Sequence, residues 1–134
     1  MRITKITLIR KKAPETKNIN ETLLRFGESL GLFSVRDKDK SCYRIFIVLV
    51  KALRHDYEIT SDEIADRTGL SRGTVVHHLN RLMDTGIVTN TRNKYLLNVK
   101  NLQDLVKQMR DNVTSVFDEI DLLAKQIDNS LELN

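Results

Sequence analysis

The residues best suited to chemistry lie between Ser71 and Lys94. His77 and His78 stand side by side there, with His55 upstream, and the chain has a single cysteine, Cys42. Neighbouring helical positions project about 100° apart, so the two histidines cannot close on one ion, and no metal site is expected. Cys42 lies near a helix start, where a thiol pKa can fall; the plainer alternative is a quiet buried thiol. No nucleophile pairs with a base, and no glycine-rich phosphate loop is present. Neither catalytic residues nor a cofactor are expected, and the chain does not read as an enzyme.

A different chemistry suits the run Ser71, Arg72, Thr74, His77 and Arg81. An arginine fork matches the acceptor edge of guanine, and threonine, asparagine or histidine can hydrogen-bond bases or phosphates. Arg92 and Lys94 flank a short turn, where cations meet phosphate or a minor groove. The alternative there is a surface hairpin with solvated charges.

These side chains need elements to aim them. Thr60 with Glu63 three residues later forms a capping box, opening a short helix that carries Ile64 and Ala65 inward and stops at Gly69. Ser71 caps a second helix whose Val75, Leu79 and Leu82 recur at spacings of four and three. Its outward face then holds Gly73, His77, Asn80 and Arg81, with Arg72 and Thr74 at its start, and Gly86 closes it. The β-prone runs Ile87–Asn90 and Tyr95–Asn98 predict a hairpin around Arg92-Asn93. Upstream, Ser41 is the expected cap of a core helix bearing Ile45, Phe46, Val48, Leu49 and Leu53, with residual strand character at Ile47 and Val50. Before it come a β-prone basic run over 1–12, a break at Pro14, a short helix from an Asn20 cap to Gly31, and a charged loop over 34–40.

From an Asn101 cap the pattern changes. Val106, Val113, Ile120 and Ile127 occupy a positions, and Leu102, Met109, Val116 and Leu123 occupy d positions, without an intervening Gly or Pro. This heptad repeat predicts a dimerising coiled-coil helix; a helix folded back on its own domain is the alternative. Leu105, Phe117 and Ala124 beside the seam are apolar, so strand direction stays open.

Composition sets the frame. Hydrophobic residues make up 40%, enough for a core, while 5% aromatics and no tryptophan argue against a carbohydrate cleft or a base-stacking platform. One cysteine excludes a disulfide framework within the chain. No apolar run matches a signal peptide or a membrane span, so a cytoplasmic protein without membrane contact is expected. Of 22 Lys/Arg and 18 Asp/Glu, residues 99–134 hold four and seven, a net of −3, which leaves 18 against 11, a net of +7, for residues 1–98. A basic body suits a polyanionic partner; ordinary solvated charge is the alternative.

The run from Leu70 to Leu82, LSRGTVVHHLNRL, followed by Gly86, Ile87 and Val88, resembles the recognition segment of ArsR-type regulators, whose pattern is LSxxxVSxHLxxLxxxGLV. The resemblance covers about residues 41–98. It implies a winged helix fold, a two-fold dimer and sequence-specific transcriptional regulation. Val76 stands where the family has serine, and the metal-sensing cysteine box is absent, so metal sensing is not carried over. The expected architecture is mainly α (α+β): an N-terminal extension over 1–40, a winged helix-turn-helix over 41–98, and a dimerisation helix over 99–134. The expected partners are double-stranded DNA, contacted by Ser71, Arg72, Thr74, His77, Arg81, Arg92 and Lys94, and a second copy of the chain. The rival expectation is a winged helix serving as a protein-interaction scaffold. Residues 1–40 could lengthen the dimer interface, cover the core helix, or supply a basic arm through Arg10, Lys11 and Lys12. No effector ligand is legible.

Overall fold

A computed structural model describes residues 7–13, 15, 18–33, 37, 40–55 and 57–134. It divides into two units between Asn98 and Val99. The order in the first is α1 (Ile19–Ser29), α2 (Ser41–Leu53), β1 (Ile59–Thr60), α3 (Ser61–Thr68), α4 (Arg72–Asp84), β2 (Val88–Thr91) and β3 (Lys94–Leu97). The second is α5 (Leu102–Ser130).

The helix α2 forms the centre of the first unit. Ile45 and Phe46 are fully buried and Leu49 nearly so, and the element is wholly helical despite its β-branched residues. It packs against α3, α4 and β3. Val75, Leu79 and Leu82 turn the inner stripe of α4 into this core, joined by Ile59, Ile64, Ile87 and Leu97. Each such side chain contributes roughly 1.5–3 kcal/mol of burial. A second cluster forms where Phe33 meets Tyr43 and Phe46 edge-to-face, at ring-centroid distances of 5.4 and 5.7 Å. Gly27 makes room for it, since a Cβ there would fall 1.9 Å from the Phe33 ring.

The start of α2 corrects the sequence reading. Ser41 is the first helical residue rather than the cap; the cap position belongs to Lys40, in left-handed backbone and with no side-chain cap bond. Asp37 substitutes, its Oδ1 accepting from the Cys42 N–H at 3.3 Å. The cap of α1 also moves, from Asn20 to Asn18, whose side chain accepts the Asn20 N–H. Residues 1–6 of the β-prone opening run lie outside the described residues, as do 34–36, 38 and 39 of the expected loop. Residues 7–13 form neither helix nor strand. They run back along α1, with the Ile9 N–H donating to the Ser29 carbonyl at 2.9 Å and Lys11 Nζ 3.8 Å from Glu28.

The sheet is antiparallel, in the order β1-β3-β2. The hairpin strands sit a residue from their expected bounds, because Thr91 and Lys94 pair directly across the turn. The third strand, β1, adds Ile59 opposite Tyr95 and Thr60 opposite Lys94.

In the second unit Asn101 caps α5, its side chain accepting the Asp104 N–H at 2.8 Å. The helix runs unbroken for 29 residues. From Val116 onward its apolar side chains are exposed, among them Phe117 (64%), Ile120, Leu123 and Ile127.

Candidate nucleic-acid interface

The helix pair α3–α4 is built by its caps. Thr60 Oγ1 accepts the Glu63 N–H at 3.1 Å and lies 3.2 Å from Glu63 Oε1. The Tyr57 hydroxyl donates to the same carboxylate, and this bond, more than the capping contacts, holds the Glu63 carboxyl below the usual carboxylate range. Gly69 ends α3 with φ +71°, the left-handed conformation that costs an L side chain most. Its N–H donates to the Ala65 carbonyl at 2.8 Å, and Arg44 of α2 donates to the Thr68 carbonyl beside it. The chain then turns within Leu70 and Ser71 into α4.

Ser71 caps α4 twice over. Its hydroxyl accepts the Thr74 N–H at 3.2 Å and donates to Thr74 Oγ1 at 2.9 Å. Both hydroxyls are therefore tied into the helix start, and Thr74 is only half-exposed. Arg72, His77 and Arg81 are exposed, as are Gly73 and Asn80. Arg72 is not alone: Asp62, in the first turn of α3, lies beside its guanidinium. The histidine rings meet edge-to-face, with centroids 5.4 Å apart. Among the described residues, no group of three His, Cys, Asp or Glu is placed to hold a metal ion.

Behind the outward face lies a polar cluster that the sequence did not reveal. His78 is half-buried, and its Nδ1 is shut from solvent without a hydrogen-bond partner among the described residues, as is Asp37 Oδ2. Burial pushes the His78 pKa down, His77 and Arg81 push the same way, and Asp37 opposes them. Cys42 shares this neighbourhood. Burial, with help from Asp37, pushes its thiol pKa up to about 12, and the S–H donates to the Leu32 carbonyl at 3.5 Å. Of the two readings of Cys42, the quiet buried thiol fits. A loop residue facing two helices has no local sequence signature, so Asp37 was missed.

The hairpin tip is a two-residue turn. Arg92 and Asn93 both take positive φ, +55° and +64°, the pattern of a type I′ connection whose twist matches the strands. Asparagine tolerates that region; arginine rarely occupies it. Arg92, Asn93 and Lys94 are all exposed.

A helix pair joined by a tight turn, backed by a third helix and followed by an antiparallel hairpin, defines the winged helix-turn-helix class. Residues 48–89 match a family model described as winged helix-turn-helix DNA-binding. The match runs from within α2 to within β2 and so includes all of α3 and α4. Neither the curated proteins nor the solved structures gave a match to this chain. No helix among the described residues is long and apolar enough to cross a membrane.

Proposed function

We propose that this chain is a sequence-specific, double-stranded-DNA-binding transcriptional regulator of ArsR-like type, working in the cytoplasm as a homodimer on a pseudo-palindromic operator. The observation that carries this reading is the division of α4 within the matched segment. One stripe is locked into the core by Val75, Leu79 and Leu82, while the opposite face offers His77 and Arg81, with Arg72 exposed at the helix start. Arg72, Thr74, His77 and Arg81 read bases from the major groove, the usual place of a second helix in this motif. Ser71, Arg92 and Lys94 set register on phosphates.

Homodimerisation is supported by α5. Its heptad positions Leu102, Val106, Met109, Val113, Val116, Ile120, Leu123 and Ile127 follow one stripe; in the single chain Met109 is buried and Leu102, Val106 and Val113 are half-buried, while those from Val116 on are exposed. An apolar face of this extent on an otherwise charged helix needs a partner, and a second α5 supplies the same pattern. Two reading helices would then address half-sites about 34 Å apart.

Selection of bound duplexes from a random pool, followed by titration of the best one at several salt concentrations, tests the proposal. A recovered inverted repeat is expected, with affinity falling about a thousandfold between roughly 50 and 200 mM salt if six phosphates are contacted. Lys94→Ala should weaken all sequences alike. An unchanged affinity across that salt range, or no sequence enrichment, favours the protein-interaction reading.

A further inference from the structure

Four glycines of the first unit have evident intramolecular reasons: Gly27 faces the Phe33 ring, and Gly31, Gly69 and Gly86 take positive φ. Gly73 has neither. A Cβ built on it meets no atom of the described residues within 4 Å, and its φ is not positive. Glycine is a poor helix former because it leaves the most backbone freedom to be lost. Nothing among the described residues calls for a residue that weakens α4 near its start.

Its position supplies a reason. Residues 73, 77, 80 and 84 follow one another at helical spacings of four, three and four, all exposed, opposite the buried stripe of Val75, Leu79 and Leu82. Gly73 is thus the first-turn member of the outermost row of α4. A helix with its side chains is about 10–12 Å across, and the major groove is about 12 Å wide, so the fit has little slack. The opening turn of a reading helix is also the part that reaches base edges.

We propose that Gly73 is a specificity-determining contact, the point at which bare α4 backbone meets the floor or wall of the DNA major groove. The inference rests on the DNA-reading function proposed above. A side chain here holds the helix off the bases and pulls Arg72 and His77 out of register.

Gly73→Ala separates stability from binding, because the two are expected to move in opposite directions. Alanine should raise Tm by about 2–4 °C. Affinity for the selected duplex should fall at least about tenfold, with lost discrimination at the base pairs beneath the start of α4. A higher Tm with unchanged affinity and unchanged base preference overturns the inference. If Lys94→Ala weakens binding while Gly73→Ala does not, this inference alone fails. If the unaltered chain binds no duplex even at about 50 mM salt, the DNA-reading function falls and takes the role of Gly73 with it.

Discussion

Arg72 Nε lies 3.5 Å from Asp62 Oδ1, so the first residue of α4 is ion-paired to the first turn of α3 across the intervening turn. Both side chains are 73% exposed, and pairs so open to water contribute little stability. On the proposed function the carboxylate acts instead as a competitor for the guanidinium and as a negative charge beside the proposed reading face. Asp62→Asn is expected to leave Tm within about 2 °C and to tighten duplex binding about three- to tenfold at low salt, less at high salt. Fluorescence anisotropy at two salt concentrations checks this. Arg72→Ala, by contrast, should relax base preference. A fall in affinity for Asp62→Asn would show that the carboxylate aims the arginine rather than restraining it.

The hairpin tip allows a similar separation. Arg92 occupies left-handed backbone at φ +55°, which costs a residue with a Cβ about 1–2 kcal/mol. Arg92→Gly should relieve about 1 kcal/mol of that cost, raising Tm. Loss of the cation should weaken all duplexes alike and lower the salt slope by about 1. Melting curves and a salt titration decide the matter, and an unchanged slope removes Arg92 from the phosphate contacts.

Acid should destabilise the first unit through His78. Its pKa lies below the ordinary 6.5, burial being the main cause. An unfolded chain therefore takes up a proton at this site at a higher pH than the folded one, and folding stability falls as pH drops below 6.5. His78→Gln removes that titration. Urea unfolding of the two proteins at pH 7.5 and below 6.5 is expected to show a shallower acid-side loss for the variant; parallel losses would place the acid sensitivity elsewhere.

For the proposed dimer, Ile120→Glu combined with Leu123→Glu sets charges into the seam. Sedimentation should give twice the 15.5 kDa chain mass for the parent and the single mass for the variant. The melting of the first unit should be retained. Losing the paired reading helices should cost about a hundredfold or more in operator affinity. A variant that sediments like its parent would put the interface outside α5.

Much of the helix pair and its caps was legible because their signals are local. Thr60 with Glu63, Ser71 with Thr74, and Asn101 with Asp104 close their caps over three residues, a distance at which sequence and contact nearly coincide. The inner stripe of α4 declared itself by period alone. What escaped depends on distant partners. The strand β1 has two residues and exists only because Tyr95 and Lys94 lie opposite; two residues carry no alternation. Ser41 looked like a cap, but Asp37 reaches the helix start from outside it. The Asp62–Arg72 pair joins residues ten positions apart that meet only once the turn at Gly69 is made.

Thr60 has two engagements. It is the last residue of β1, opposite Lys94, and it caps α3; Lys94 in turn faces Thr91 at the mouth of the hairpin turn. The turn end of the hairpin and the entry to the helix pair are thus joined at one backbone pairing, and neither can swing far without the other. On DNA the two prongs would behave as a caliper of fixed opening. Groove width must then be adjusted by bending or twisting the duplex, so the easily deformed sequences among otherwise equal sites should be bound first.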